Sequence, residues 1–593
     1  MKKITTGCLM LVIALTVAAQ NTGILFTQLR NSVQKDELSR FYITPKRIVW
    51  TSDSSGTSIT GTFNLLRNGD SQPWFGIDKK ALCRLINSKN SRPAILLDFG
   101  TELHGGIQLT TSSSNSIFPR MRITLGESVS EAMSNVSGNN EEKGGATNHH
   151  AMRDFEITVP GYGTIEIGNT GFRFVRIELT DTTVKEIALK EVRAVAVMRN
   201  IPYLGSFRCN DTLLNKVWET GAYTVHLCMQ DYLIDGIKRD RMVWMGDMAP
   251  EILTINSVFG YNPVVPKSLD FARDRAPLPQ WMNGLSSYSL WWILIQHNWY
   301  MYQGDRNYLK AQQTYLTALL KQLFSKVDST GNVLFEGKSL FLDWPSSTNP
   351  KAIQAGMQAL TVLSFDKGAE LIQVLGDKTL AAKCRATADK MRKVVPDPNG
   401  SKQAAALMAL AGIIPAEKAN REVIAVGGAK NFSAFMGCYM LQTKALAGDY
   451  QGALDNIRAY WGGMIQLGAT TFWEDFDLKW TNNGAGITEI VPPGKKDIHK
   501  DFGAYCYKNL RHSLCHGWST GPTSWLSQQV LGVTAIEPGC KVVKIEPHLG
   551  DLNWAEGTFP TPDGLIKIRH DKQADGSVKS KIEAPKGVKV IRK

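Results

Sequence analysis

Cysteine is scarce: the 593 residues contain nine, with no C-x-x-C pair and no dense spacing. That excludes a disulfide scaffold, a zinc ribbon and a thioredoxin-like redox motif. Cys515 and His516 are adjacent but have no partners at ligand spacing, so no metal and no cofactor are expected. Long apolar runs are missing as well. No window approaches 18 uninterrupted apolar residues, so no membrane-spanning helix is expected. Nor is there a run of five or more Lys or Arg, although Lys and Arg total 67 against 54 Asp and Glu, a net charge of +13. Scattered positive charge does not make a nucleic-acid stripe. It suits a polyanionic substrate or plain solubility equally well.

What is present is ordinary for a folded protein. Apolar residues make up 43% and charged residues 20%, and the length is enough for several domains with their own cores. Lys2 and Lys3 precede a largely apolar run from Leu9 to Ala19, with small residues Ala18 and Ala19 at a plausible cleavage point. Eleven residues are too few to cross a bilayer of about 30 Å, so residues 1–20 read as a signal peptide of an exported protein, periplasmic or secreted. Cleavage would leave eight cysteines, mostly small buried hydrophobes.

The pattern then runs β, α, β. From 21 to 204, short β-rich runs such as Arg47–Thr51, Ala94–Leu97, Gly106–Thr110, Arg120–Leu125 and Phe172–Leu179 alternate with turn signals, which predicts an antiparallel sandwich. Ser134–His150, rich in Ser, Asn and Gly, reads as a surface loop. From 205 to 532 the period becomes helical, with Tyr315, Leu316, Leu319, Leu320, Leu323 and Phe324 on one stripe. Gly-Asp recurs at Gly304-Asp305, Gly376-Asp377 and Gly448-Asp449, spaced 72 and 72 residues apart. Gly can close one helix and Asp can cap the next, so these junctions predict helical hairpins arranged as an α/α toroid. From 533 to 593 strand periods return, as a small second sandwich.

Chemistry-bearing residues gather in the helical part. Eleven of the 15 Trp lie between Trp244 and Trp525, several beside acids: Trp244 near Asp247, Trp344 after Asp343, Trp473 before Glu474. Trp faces suit sugar C–H faces while carboxylates take hydroxyls, although most Trp simply pack helices. The densest segment, Asp235 to Asp247, holds three acids and three bases among Ile237, Met242, Val243, Trp244 and Met245. It is too apolar for a solvated charge face, and such surroundings shift carboxyl pKa values as an acid catalyst requires.

That segment resembles the signature of the inverting α-L-rhamnosidases, glycoside hydrolase family 78, Asp-Cys-Pro-x-Arg-Glu-Arg-x-Gly-Trp-x-Gly-Asp. Asp235, Arg239, Arg241, Trp244, Gly246 and Asp247 fall in register, with Gly236-Ile237 in place of Cys-Pro, Val243 in place of Gly and Asp240 in place of the family's Glu. A second block, Gly468-Ala-Thr-Thr-Phe-Trp473-Glu474, resembles the family's Gly-Ala-Thr-Thr-x-Trp-Glu. Ser513-Leu-Cys-His516 resembles its Ser-Leu-Asn-His, and Leu342-Asp343-Trp344 its Gly-Asp-Trp. The resemblance implies a central (α/α)6 catalytic barrel between two β-sandwiches and hydrolysis of terminal α-L-rhamnosides from oligo- or polysaccharides. It implies Asp240 as general acid and Glu474 as general base, with Asp235, Arg239, Trp244, Asp247, Asp343, Trp344, Trp473 and His516 binding sugar.

An arginine beside Asp240 would lower its pKa, against what an acid needs, so at least one of Arg239 and Arg241 is expected to point elsewhere. Two other readings stay open on the sequence. One is a catalytically silent carbohydrate-binding homologue, suggested by Asp240; the other is a toroidal lyase or hydrolase acting on uronic acids. The expected partner in every case is a carbohydrate, with no nucleic acid and no membrane after signal cleavage.

Overall fold

Glycines decide the shape of the N-terminal sheet. In this computed structural model, which describes residues 38–88, 92–135 and 152–592, Ala94–Ser114 is one strand of 21 residues. The sequence suggests two short strands there. The long strand stays continuous because its register shifts between Asp98 and Leu103 and again between Gly105 and Ile107. Gly105 has φ 140°, and a Cβ there would stand 2.0 Å from the Val195 carbonyl oxygen; only glycine permits that approach. Phe172–Leu179 is likewise the end of a longer strand, Gly163–Leu179. With Glu186–Arg199 these strands form the centre of one nine-stranded sheet. Residues from both ends of the long strand share one core, in which Ile95, Leu97 and Val175 are buried with Ile107, Leu109 and Leu189. The alternate face at Leu96 and Phe174 is covered by a short helix, α1 (Val129–Met133), capped by the Ser128 hydroxyl. The expected signal segment, residues 1–20, and most of the Ser134–His150 loop lie outside the described residues.

The helical part contains, among the described residues, α2 (Thr212–Cys228), α3 (Met248–Val258), α4 (Val264–Arg275), α5 (Ser286–Gln303), α6 (Arg306–Phe324) and α7 (Pro350–Val374). After them come α8 (Lys378–Arg392), α9 (Lys402–Leu410), α10 (Ala416–Ala419), α11 (Gly437–Leu446), α12 (Tyr450–Gln466) and α13 (Gly521–Trp525). The odd-numbered helices from α3 onward pack in succession, and α13 returns to α3, so they close an inner ring. Position in that ring explains what the sequence pattern reveals. All eleven residues of α3 are buried, so it has no polar stripe. The outer α8 buries only Leu380, Ala381, Cys384, Ala388 and Met391, at helical spacing. Gly304, Gly376 and Gly448 all take left-handed φ. Asp305, Asp377 and Asp449 accept the amides of Tyr308, Leu380 and Gly452 and so start α6, α8 and α12.

Beyond the ring, Trp554–Thr561, Gly564–Lys572 and Val578–Glu583 form a four-stranded sheet with Ser206–Cys209, while Val533–Ala535, Val542–Ile545 and Lys589–Arg592 form a three-stranded one. The strand Ser206–Cys209 lies within the stretch whose period reads as helical. It is too short to show its own period and is a strand only because Trp554–Thr561 lies alongside. No helix among the described residues is long and apolar enough to cross a membrane. All eight cysteines among them are free, and all but Cys506 are buried.

Candidate active site

At the N-terminal ends of the inner helices lies a cavity of about 460 Å³. Asp247 is the N-cap residue of α3, Tyr288 lies in the first turn of α5, and Trp344 precedes α7. Eight of the sequence-predicted residues line the cavity: Asp235, Arg239, Asp240, Trp244, Asp247, Trp344, Glu474 and His516.

The loop 236–241 is pinched at its base. The Asp235 amide donates to the Met242 carbonyl at 3.0 Å, and the Met242 amide donates to Asp235 Oδ1 at 2.8 Å. Asp235 therefore closes the loop as well as lining the cavity. Gly236 forms a β-bridge with His516, and a Cβ at Gly236 would meet the Cys515 carbonyl oxygen at 2.7 Å. The loop turns at Asp240 and Arg241, both left-handed at φ 55° and 53°. Two consecutive side-chain-bearing residues in that region cost roughly 1–2 kcal/mol each, a local strain the surrounding structure must hold.

The arginines part company as expected. Arg241 donates to the Asn169 carbonyl at 2.6 Å, away from the cavity. Arg239 pairs instead with Glu474 Oε1, and its other terminal nitrogen is 3.9 Å from Asp240 Oδ1. One guanidinium thus bridges the two carboxylates, lying over the Tyr507 ring with its carbon 5.6 Å from the centroid. Burial works to raise the Glu474 pKa, but Arg239, His516 and His512 outweigh it and hold the group below the ordinary carboxylate range. Glu474 Oε2 also accepts the Ser513 amide at 3.2 Å, and the Trp518 indole donates to the Glu474 carbonyl at 2.9 Å.

His516 links the base side to the Asp side. Its Nε2 is 2.9 Å from Asp247 Oδ1 and its Nδ1 is 3.8 Å from Glu474 Oε1. Burial opposes a charge here, yet Glu474, Asp247 and Asp235 raise the imidazole to about 9, so it is an imidazolium at neutral pH. Tyr288 OH donates to Asp247 Oδ2 at 3.2 Å. Burial, reinforced by neighbouring anions, pushes the Asp235 carboxyl well above the ordinary carboxyl range.

Two predicted residues do not line the cavity. Asp343 is buried and accepts the Ser346 amide at 3.0 Å, shaping the turn that presents Trp344. Trp473 is buried edge-on against Phe476 and His512, 5.8 and 6.3 Å between centroids, behind Glu474. Each neighbours a cavity residue in sequence but is buried behind it. The sequence reading missed Asn283, Tyr288, Phe341, Cys506, Tyr507 and Arg511, which also line the cavity. None sits in a charged cluster. Trp518, another lining residue, ends the block Ser513-Leu-Cys-His516-Gly-Trp518 but is not among the expected sugar-binding residues.

One buried group has the donor set of a metal site. Glu127, Glu131 and His499 offer ligand atoms within 4.8 Å of one another. The Lys238 ammonium lies among them, 3.4 Å from Glu127, 3.0 Å from Glu131 and 3.2 Å from His499.

Two stretches of the chain match family models. Residues 202–397 match the model of the bacterial α-L-rhamnosidase six-hairpin glycosidase domain, and residues 532–591 match that of the bacterial α-L-rhamnosidase C-terminal domain. Those two stretches are similar to the bacterial α-L-rhamnosidases. An α-L-rhamnosidase of Alteromonas sp. (strain LOR) is 26% identical over 585 residues, covering 89% of this chain and 58% of that protein. The chain thus spans a little over half of that relative. Among solved structures, the family 78 rhamnosidase of Bacillus sp. GL1 superposes with a TM-score of 0.69 at 21% identity, covering 90% of this chain and 55% of the other. A Klebsiella oxytoca rhamnosidase with rhamnose bound gives 0.64 at 19% identity, covering 83% and 95%. These likenesses establish the mixed helix-and-sheet fold shared with those structures.

Proposed function

We propose that this protein is an exported glycoside hydrolase that releases terminal α-L-rhamnose with inversion. Asp240 serves as general acid and Glu474 as general base. The observation that carries the reading is the meeting of these two carboxyls, 234 residues apart in sequence, at opposite ends of one guanidinium.

Glycoside hydrolysis needs a carboxylic acid at the leaving oxygen and, for inversion, a carboxylate about 6.5–9.5 Å away that activates water. Glu474 suits the second role, because Arg239 and the His516 imidazolium keep it ionised. Water between the sugar and Glu474 Oε2 would give up its proton there as it attacks the anomeric carbon. Asp240, at the tip of a loop turned toward the cavity, donates to the departing oxygen. The two arginines divide: Arg239 stays between the carboxylates, while Arg241 is drawn off to the Asn169 carbonyl. Asp247, paired with His516, and Asp235 offer carboxyl oxygens to sugar hydroxyls. Trp244 and Trp344 supply apolar faces, and Trp344 is 36% exposed at the rim. The net charge of +13 supports an acidic, rhamnose-containing polysaccharide as the natural source. The Leu9–Ala19 run supports export, which cell fractionation and N-terminal sequencing of the mature protein would test.

The decisive experiment is incubation of the purified protein with an aryl α-L-rhamnoside, with NMR of the first-formed sugar. Rhamnose appearing first as the β-anomer supports the scheme. α-Rhamnose would remove inversion, and no release would remove the activity.

A further inference from the structure

Glu127 and Lys238 are almost completely buried, and the chemistry proposed above uses neither of them. Glu127 belongs to the N-terminal sheet region, immediately after the strand Arg120–Gly126. Lys238 is the residue before Arg239 in the acid-bearing loop.

The Lys238 ammonium donates to the carbonyls of Leu510 and His512 at 2.6 and 2.7 Å, besides its contacts with Glu127, Glu131 and His499. It fills the place that a cation would take among those three groups. Glu131 is itself paired with the buried Arg153, which also bonds Thr170 and the Gly171 carbonyl, while the Gly171 amide donates to the Ile237 carbonyl at 2.8 Å. Glu127 reaches the other way. Its Oε2 accepts the Leu514 amide at 2.7 Å and its Oε1 the Ser513 hydroxyl at 3.3 Å. Ser513 in turn donates its amide to Glu474 Oε2 and accepts the Glu474 amide at 3.0 Å. A closed circuit results: Glu127 to Lys238, along the chain to Arg239, across to Glu474, through Ser513, and back to Glu127.

Desolvating this many charges is costly, and buried ion pairs return little net stability. What they return is fixed geometry. A catalytic group displaced by about 1 Å can cost 10²-fold in rate. We infer that Glu127 and Lys238 are positioning residues through which the N-terminal sheet holds the acid-bearing loop and the base Glu474 in mutual register. The N-terminal sheet region is then part of the active-site framework. The inference rests on the roles given above to Asp240 and Glu474, but it predicts a structural coupling that can be measured without turnover.

The test uses the full chain with Glu127→Gln, which keeps size and removes the charge facing Lys238. Tyr223→Phe serves as a control between the same two parts of the molecule, since its hydroxyl donates to the Glu102 carbonyl outside the circuit. Amide hydrogen exchange should accelerate in both 237–242 and 512–516 in Glu127→Gln, and in neither for the control. On a rhamnoside with a poor leaving group, kcat should fall roughly 10–100-fold, the usual effect of removing a group that orients a ligating or catalytic residue, with KM nearly unchanged. If Glu127→Gln does not fold, Ser513→Ala should show the same exchange pattern and a loss of roughly fivefold, one hydrogen bond's worth. Wild-type exchange in either segment overturns the inference, as does a variant that loses thermal stability but keeps kcat. Absence of turnover in the wild type would overturn the proposed function, while the exchange data would still decide the coupling.

Discussion

At its N-terminal mouth, the ring of inner helices gathers Asp240, Asp247 and Glu474 with Arg239, Arg511 and His516 around about 460 Å³. At its C-terminal mouth the same helices surround a larger cavity of about 580 Å³, walled by Leu253, Leu294, Leu363, Leu410 and Leu446. Charged groups occur there too, but they pair along the surface, Lys367 with Glu370 and Lys544 with Glu546. Size therefore does not mark the site; convergence of unlike charges does. Loops contribute more than helix dipoles. The N-terminal mouth is crossed by residues 235–247, 340–344, 474 and 506–518, all in long connections. Chain leaving a helix can place charge where packed helices cannot.

The sharpest test of the contrast is the largest effect. Asp240→Asn and Glu474→Gln should each lower kcat about 10²–10⁴-fold on a poor leaving group, with circular dichroism unchanged, as general acid–base groups do. Near-normal turnover in either variant would remove that residue's role. A good leaving group should mask much of the Asp240→Asn loss but not that of Glu474→Gln.

Arg239→Met should come next, with a loss on the order of 10–100-fold near neutral pH. Without the guanidinium the Glu474 pKa rises, since Arg239 is the foremost influence lowering it, so the acidic limb of kcat/KM against pH should move to higher pH. An unmoved limb would mean that another group sets it.

A third effect concerns stability. The His516 imidazole rises from 6.5 to about 9 in the folded protein. A raised folded pKa stabilises fully below the unfolded value, and the benefit fades as pH rises from about 6.5 through about 9. The Tm difference between wild type and His516→Asn should shrink across that window. A constant difference would show that His516 contributes by packing alone.

At the opposite mouth, Leu446→Ser should change stability by no more than about 0.5 kcal/mol and leave turnover unaltered, since Leu446 is 58% exposed. A turnover defect would break the comparison by tying the second cavity to catalysis. The smallest expected effect is ionic. kcat/KM on a uronic-acid-bearing rhamno-oligosaccharide should fall as salt approaches physiological strength, where the Debye length is about 8 Å, while a neutral rhamnoside stays flat. Parallel profiles would leave the +13 charge to solubility.

The sequence carried what depends on near neighbours along the chain. The outer helices were legible because one face meets water, as in α8, and the helix junctions because Gly-Asp caps are local chemistry, as at Gly376-Asp377. The segment from Asp235 to Asp247 declared itself by charge density among large apolar residues. Folding alone decided the rest. Whether Asp343 and Trp473 face the cavity turns on which way one side chain points, and both turn inward. Ser206–Cys209 is a strand only because residues 554–561 lie beside it. Tyr288 and Tyr507 carry no signal until the ring closes around them. Nor does any local pattern tell that Lys238 is bound by groups more than 100 residues away on one side and more than 250 on the other. Those contacts are long-range, and burial and electrostatic pairing, which fix what the site can do, exist only once distant segments have removed water from between them.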